Sequence, residues 1–229
     1  MPDKNIELPA VLFDLDGTLI DSVYEHVSAW WETLQEVRIH VPKWKIHRRV
    51  GMSGKSFIQE LMRELNVKTK HDIGQLEQGH DARFARAIQK LEPLPGANDL
   101  LEHLHGSKVP IAIATTGNRK QTGLLLKRLR LPRGMKIITG DDVQKAKPSP
   151  DIFVAAAQAL RVNISDCIVV GDSVWDVLAA GRKRALPVCL LSGGYGGDEL
   201  ERAGAFRVYD DPSDMLRHLE QVGLPGKNG

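Results

Sequence analysis

The chain has 229 residues, of which 42% are hydrophobic and 26% are charged, and its 31 Lys and Arg residues against 29 Asp and Glu residues leave a formal net charge of only +2. This composition is typical of a folded globular protein and excludes fibrous and disordered classes. The net charge alone indicates no nucleic-acid partner and no acidic membrane partner. The length corresponds to one large domain or to one domain that carries an insert.

The N-terminal segment and the cysteines bear on the cellular compartment. Residues 1–7 have neither the basic start nor the apolar stretch of a secretory signal, and no apolar run approaches the ~18 residues of a membrane span. Cys167 and Cys189 each lie in an apolar run and lack the ligand spacing of a zinc site. We therefore expect a cytoplasmic protein with buried cysteines that binds neither nucleic acid nor membranes.

Short apolar runs alternate with stretches of helical spacing along most of the chain. The runs lie at residues 10–13, 109–114, 136–139, 166–170, 187–191 and 205–208. This alternation predicts an α/β fold, with a Rossmann-like parallel sheet that has helices on both faces.

Roughly a hundred residues separate the first two runs, far more than one crossover helix needs. Between residues 21 and 91 the apolar positions recur at helical spacing, as in Val23, Val27 and Trp30. We therefore predict a small all-helical cap domain at residues 21–91 and a catalytic core at residues 1–20 and 92–229. The segments 19–22 and 91–96 are the two predicted crossings between them and are expected to act as hinges.

Residues able to carry chemistry follow or precede the predicted strands. They are Asp14 and Asp16 after the first run, Thr115 and Thr116 after the second, and Lys147, Asp172 and Asp176 around the fourth. Because the carboxyl ends of parallel strands meet at one edge of a sheet, we expect these side chains to converge on one crevice. Neighbouring carboxylates favour a hard divalent cation, Mg²⁺ above all, and the ammonium and hydroxyl groups suit a phosphoryl group.

This pattern resembles the haloacid dehalogenase superfamily, in its magnesium-dependent phosphatase branch. Its four motifs match, in order, Asp14-x-Asp16-Gly-Thr18, Thr115 after a strand, Lys147-Pro-x-Pro-Asp151, and Gly171-Asp172-x-x-x-Asp176. Any one of these motifs alone would be a weak signal, but four in the expected order are specific. The inserted helices resemble the cap that this family places directly after the first motif.

The resemblance implies that the protein hydrolyses a phosphomonoester of a small phosphorylated metabolite through an aspartyl-phosphate intermediate. Asp14 would be the nucleophile and Asp16 the general acid and base. Asp14, Asp16 through its backbone carbonyl, and Asp172 would contact Mg²⁺. The phosphoryl group would be bound by Thr115, Thr116 and Lys147. Asp176 and Thr18 would position these side chains and the metal ligands.

Three cap residues are also candidates. Ser53 lies within the glycine-flanked segment Gly51-Met-Ser-Gly54, and Lys55 directly follows it. We expect both side chains to lie over the leaving group of the substrate. His26 precedes Ala29-Trp30 much as a histidine does in the related β-phosphoglucomutases, which places it near the acid/base aspartate.

Other functions stay open at this point. A sugar-phosphate mutase is the main alternative, although Gly54 and Gly171 stand where mutases carry a phosphate-binding arginine and a glutamate. A phosphonate hydrolase would need Lys55 to form a Schiff base. A non-enzymatic phosphate-binding module is disfavoured because both Asp14 and Asp16 are present, and Ser192-Gly-Gly-Tyr-Gly-Gly197 is interpreted as a flexible connection.

Overall fold

The computed structural model of the protein describes residues 8–67 and 71–226. Six parallel strands form one sheet in the order β3-β2-β1-β4-β5-β6. Their bounds are β1 (Ala10–Phe13), β2 (Ile111–Ala114), β3 (Lys136–Ile138), β4 (Cys167–Gly171), β5 (Leu186–Leu190) and β6 (Arg207–Tyr209). All six predicted strands are confirmed, with ends shifted by one or two residues. Strand β2 begins at Ile111 because Pro110 has no N–H to donate to a ladder.

Helices cover both faces of this sheet, which confirms the predicted α/β class. They are α5 (Ala97–Gly106), α6 (Arg119–Leu125), α7 (Asp151–Leu160), α8 (Val174–Gly181), α9 (Gly197–Ala203) and α10 (Pro212–Arg217). Alternate residues of β1 point to opposite faces. Val11 and Phe13 therefore join the apolar cluster beneath α5 and α10, while Ala10 and Leu12 join the cluster beneath α7 and α8.

Four further helices lie between β1 and α5 and form the helical insert, residues 23–90. They are α1 (Val23–Glu36), α2 (Lys43–His47), α3 (Gly54–Glu64) and α4 (Ile73–Ala87). Helix α1 packs along α4. The insert has an apolar cluster of its own, which includes Trp30, Leu34, Phe57, Ile58 and Leu61. Apolar residues that recur at helical spacing in the sequence form this cluster.

The two predicted crossings lie side by side. The backbone N–H of Leu94 donates to the carbonyl of Leu19 at 3.0 Å, and the N–H of Asp21 donates to the carbonyl of Glu92 at 3.1 Å. The division at residues 20/21 and 91/92, and any hinge motion there, stay predictions. The terminal segments 1–7 and 227–229 of the predicted core lie outside the described residues.

In the part of the chain that the structure describes, every helix is too short or too polar to cross a bilayer. The cytoplasmic location stays a prediction.

We predict that Leu34→Ala lowers the free energy of unfolding by about 2–5 kcal/mol, because the side chain is 0% exposed and its removal leaves a cavity in the cluster of the insert. Leu178→Ala is the matched control, since Leu178 on α8 is 40% exposed. Urea denaturation of the two variants measures both effects. An equal, small loss for both would show that the insert contributes no packed core.

Candidate active site

The turn after β1 brings its polar residues against the end of β4. The Asp14 N–H donates to the carbonyl of Val170 at 2.8 Å, which continues the pairing of β1 with β4. Gly17 then adopts φ +77°, and a Cβ atom there would lie 2.6 Å from Oδ2 of Asp172. Only glycine combines this backbone conformation with that close approach. The glycine of the first motif is thus explained by its contact with the fourth.

A buried ammonium group lies between two carboxylates at the centre of the site. The Nζ atom of Lys147 lies 2.7 Å from Oδ1 of Asp14 and 2.7 Å from Oδ1 of Asp176. The Lys147 side chain is 0% exposed. Lysine carries three N–H donors, so this group keeps hydrogen-bonding capacity for a further anionic ligand. The lysine of the third motif thus lies between an aspartate of the first motif and an aspartate of the fourth.

Helix α8 holds the second carboxylate of this pair in place. Its N-cap residue Ser173 donates from both its N–H and its hydroxyl to Oδ2 of Asp176, at 3.2 and 2.6 Å. This capping box engages one carboxylate oxygen and leaves Oδ1 for Lys147. Asp172 is oriented separately, since the Thr18 hydroxyl donates to its Oδ1 at 3.3 Å.

The carboxylates at this centre outnumber the cations. Carboxyl oxygens of Asp14, Asp172 and Asp176 lie within 4.8 Å of one another, and all three residues are buried. Burial raises the pKa of Asp14 to about 7 although Lys147 opposes the shift, and burial raises the pKa of Asp172 well above its ordinary value. Asp14 and Asp176 keep the pKa of Lys147 above its ordinary value although burial opposes this.

This donor set fits a divalent metal ion. Three buried carboxylates face one ammonium, and hard dications prefer oxygen ligands of this kind. Asp14 and Asp172 were expected to be ligands and Asp176 to support them, and the carboxyl groups of all three are close enough together for one ion. The side chain of Asp16 lies outside this group, so its expected contact through the backbone carbonyl stays a prediction.

Asp16 has different partners from Asp14 although only one residue separates them. The Ser22 hydroxyl donates to its Oδ1 at 2.6 Å, and Nε2 of His26 lies 3.2 Å from the same oxygen. Burial alone would raise the pKa of Asp16, but His26 and Ser22 hold it below its ordinary value. The two carboxylates therefore differ in their contacts, since Asp14 faces an ammonium and Asp16 faces a hydroxyl and an imidazole.

His26 begins a chain of hydrogen bonds that runs through the insert. Its Nδ1 atom lies 3.0 Å from Nε2 of His80, and Nδ1 of His80 lies 3.0 Å from Oδ1 of Asp81. Asn118, at the start of α6, donates to the other carboxylate oxygen of Asp81 at 2.9 Å. Burial lowers the pKa of His80 to about 4, so this ring is neutral at pH 7. Sequence reasoning found His26 but missed His80 and Asp81, since neither belongs to a motif.

The strand ends and the insert enclose a cavity of about 380 Å³. Asp14 and Asp16 line it from the sheet, together with Thr116, whose hydroxyl donates to the carbonyl of Gly51 in the insert at 3.1 Å. Ser53 lines it from the insert, where its hydroxyl accepts the N–H of Ser56 and caps α3.

Six predicted site residues do not line this cavity: Lys147, Asp172, Asp176 and Thr18 belong to the buried centre described above, and the other two are Thr115 and Lys55. The buried hydroxyl of Thr115 lies 3.5 Å from Oδ2 of Asp16 and accepts the N–H of Gly117 at 3.1 Å, so it supports the site from behind. Lys55 is exposed on α3 and does not belong to the cavity lining. The structure therefore gives no support for Lys55 over the leaving group.

The loop at residues 192–197, predicted to be a flexible connection, is anchored at the site instead. The Ser192 hydroxyl donates to the carbonyl of Gly17 at 2.6 Å, and Nε2 of His47 lies 2.7 Å from the carbonyl of Gly193. A Cβ atom on Gly193 would lie 1.8 Å from Oδ2 of Asp172. The glycines here permit close packing against the fourth motif rather than freedom of motion.

Comparison with known proteins identifies the family. The model of the haloacid dehalogenase-like hydrolases matches residues 8–182. The chain belongs to this family. A hydrolase from Pseudomonas syringae of known crystal structure is 44% identical to this chain and superposes on it with a TM-score of 0.90. The match covers 94% of this chain and 99% of the Pseudomonas syringae chain. This haloacid dehalogenase-like hydrolase therefore shares both fold and sequence with a solved hydrolase.

Curated relatives include phosphatases and a mutase. Hexitol phosphatase A from Escherichia coli is 32% identical over 73% of this chain and 76% of its own length. A β-phosphoglucomutase from Bacillus subtilis is 28% identical over 72% of this chain and 76% of its own length. The chain spans only 45% of a bifunctional riboflavin kinase/FMN phosphatase from Arabidopsis thaliana, at 30% identity.

We predict that Lys147→Met lowers the free energy of unfolding by about 3–5 kcal/mol in metal-free buffer at pH 7.5, because it leaves the carboxylates of Asp14 and Asp176 buried without their cation. The exposed Lys145, changed to Met, is the matched control. Denaturant titration compares the two variants. Equal stability would mean that the buried ammonium does not stabilise the carboxylate cluster.

Proposed function

We propose that this hydrolase is a Mg²⁺-dependent phosphatase that cleaves a small phosphomonoester, with Asp14 as the nucleophile. One observation carries this proposal: Asp14 and Asp16 both line one cavity, yet Asp14 contacts Lys147 and a carboxylate cluster whereas Asp16 contacts Ser22 and His26. In the proposed scheme Lys147 and the metal ion would keep Asp14 ionised as the nucleophile, and Asp16, held by Ser22 and His26, would carry the proton.

In the proposed reaction a carboxylate oxygen of Asp14 attacks phosphorus and the bond from phosphorus to the leaving oxygen breaks. Lys147 lies directly against Asp14 and offsets the negative charge of the transferring phosphoryl group. Backbone N–H groups in the turn after β2 border the same end of the cavity, where Gly117 is part of the lining. Water then hydrolyses the aspartyl phosphate and restores the Asp14 carboxylate.

Asp16 moves the protons in this scheme. Its carboxyl group gives a proton to the departing alkoxide and later takes one from the attacking water. The Ser22 hydroxyl and His26 both contact Oδ1, whereas Oδ2 has only the longer contact of 3.5 Å with the Thr115 hydroxyl and would face the leaving group. The chain through His80 and Asp81 fixes the ring of His26 and thereby the orientation of the Asp16 carboxyl group.

Asp14, Asp172 and Asp176 are the residues that would hold Mg²⁺. When bound, the ion supplies positive charge that offsets the carboxylates and the phosphoryl oxygens. Asp176 also contacts Lys147, so it would order the ammonium and the metal ligands together.

We also propose residues 21–91 as the cap over the active site and residues 1–20 with 92–229 as the catalytic core. The cavity is lined from both parts, and the crossings of the chain lie together at Ile20 and Pro93. An opening motion about these crossings would admit substrate and its reversal would exclude bulk water.

The mutase alternative is weakened by the surroundings of Gly54. A Cβ atom on Gly54 would lie 2.6 Å from Oε1 of Glu77. Resemblance to the mutases places a phosphate-binding arginine here, but this chain has a glycine with a carboxylate beside it. A second phosphate group would meet negative charge at this position, which favours transfer to water.

We predict that Asp14→Asn abolishes turnover while the fold is retained, because the amide keeps the shape of the side chain but is not a nucleophile. Release of inorganic phosphate from 4-nitrophenyl phosphate with Mg²⁺ measures this, with Asp198→Asn on exposed α9 as the control. Retention of more than about a tenth of the wild-type rate would contradict the covalent mechanism, since loss of a nucleophile costs many powers of ten.

We predict that Mg²⁺ binds more weakly as the pH falls below about 7, because burial raises the pKa of Asp14 to about 7 and protons then compete with the metal. Asp172→Asn should weaken binding by about tenfold or more, since it removes an anionic oxygen ligand. Titration calorimetry at pH 6 and pH 8 measures both effects, again with Asp198→Asn as the control. If neither the lower pH nor Asp172→Asn changes the affinity for Mg²⁺, the metal binds at another site.

A further inference from the structure

The part of the cavity beyond Asp14 and Asp16 is rich in negative charge. Glu77 and Asp81 on α4 line it from the insert, and Asp141 lines it from the segment after β3. The pKa of Glu77 is raised by burial and by the neighbouring Asp81, which shows that these carboxylates influence each other. A leaving group bound here therefore meets several carboxylates at once.

Within the cavity lining that the structure describes, Arg49 is the one lysine or arginine side chain, and its charge is already paired. Its guanidinium contacts the carboxylate of Glu64 and donates to the carbonyl of Lys45 at 2.7 Å. Its Nε is buried without a hydrogen-bond partner. The Arg49 guanidinium is thus held by Glu64, a carboxylate outside the cavity lining that also pairs with Lys45 at 2.7 Å, and its buried Nε is not accessible from the cavity.

The nearby cations leave most of the negative charge of Asp141, Asp81 and Glu77 without a direct ion pair. Oδ2 of Asp141 accepts the backbone N–H of Arg119 at 2.8 Å, whereas the guanidinium of Arg119 contacts Asp142. Asp81 is held by the neutral ring of His80 and the amide of Asn118. Lys55 attracts Glu77, but its side chain is exposed.

Building on the proposed phosphatase function, we propose that this cavity selects phosphomonoesters whose leaving alcohol carries no negative charge, namely polyol, sugar or amino-alcohol phosphates, and that Glu77 and Asp141 set this selection. The acceptor oxygens of these carboxylates can bind the hydroxyl or ammonium hydrogens of such alcohols. The side-chain amides of Asn118 and Gln121 supply donors for their oxygens. A carboxylate or second phosphate on the leaving group is repelled at the same place.

Three esters of equal length test the proposal on the full chain with saturating Mg²⁺. They are 2-aminoethyl phosphate, 2-hydroxyethyl phosphate and carboxymethyl phosphate, whose leaving groups are cationic, neutral and anionic. We expect kcat/KM for the hydroxyethyl ester to exceed that for the carboxymethyl ester by about tenfold or more, and the aminoethyl ester to be at least as good as the hydroxyethyl ester. The ratios should shrink in about 0.5 M NaCl, because salt screens charges over a few ångströms.

Glu77→Gln and Asp141→Asn should each raise kcat/KM for the carboxymethyl ester relative to the hydroxyethyl ester by several-fold. Glu201→Gln, on the exposed surface of α9, is the matched control and should leave the ratios unchanged. Equal kcat/KM for the three esters, or ratios that neither variant shifts, would overturn the proposal.

The outcome for 4-nitrophenyl phosphate separates this proposal from the function on which it rests. Hydrolysis of that ester without charge selection would overturn the selection alone. No phosphate release from any of the four esters with Mg²⁺ would overturn the phosphatase function together with it.

Discussion

The site depends on the ion pairs that Lys147 makes with Asp14 and Asp176 inside the protein. An ammonium with no exposed surface is costly to bury, and it persists only because two carboxylates lie 2.7 Å away. These carboxylates in turn need a cation, so neither charge could be buried alone. The parallel sheet makes the arrangement possible, because β1 and β4 are neighbours and both end at this point. Two local features of the neighbouring segments hold these charged groups in place. Gly17 allows the turn after β1 to approach Asp172, and the capping box of α8 orients Asp176.

The insert contributes to the chemistry through packing as well as through hydrogen bonds. The ring of His26 stacks on Phe84 with centroids 3.7 Å apart, and the ring of His80 stacks on Trp30 at 4.4 Å. These contacts belong to the interface between α1 and α4. His26 is held on one face by the Phe84 ring and at Nδ1 by His80, so it has few rotamers available, which keeps Nε2 aimed at Asp16. The orientation of the Asp16 carboxyl group, the proposed acid and base, thus depends on the same packing that stabilises the insert.

Much of the fold and the charged centre follows from local sequence signals. Buried parallel strands are continuous apolar runs, and their polar ends are visible beside them, so Asp14, Lys147 and Asp172 could be assigned to one edge of the sheet. His80 and Asp81 could not be found in this way, because they belong to no motif and reach the site only through the tertiary packing of α4 against α1 and the turn before α6. Lys55 fails for a related reason: it is close in sequence to the cavity residue Ser53, but the helix turns its side chain to solvent. Proximity along the chain is a poor guide to the direction in which a side chain points once a helix begins.

The two ends of the cavity have opposite charge requirements, and this opposition orients the substrate. In the proposed function, Lys147 and a metal ion held by the aspartates would attract a phosphate dianion at the sheet. At the other end, Glu77 and Asp141 face the leaving group with no free cation among the described lining residues. If both ends attracted anions, a substrate with two anionic groups could bind in either direction, and half of the bound complexes would have the ester oxygen away from Asp16. Negative charge at the far end removes the inverted mode, because the phosphate group is then stable only beside Asp14. The proposed selection against anionic leaving groups would therefore be the same electrostatic property that places the scissile bond between Asp14 and Asp16, the proposed nucleophile and general acid.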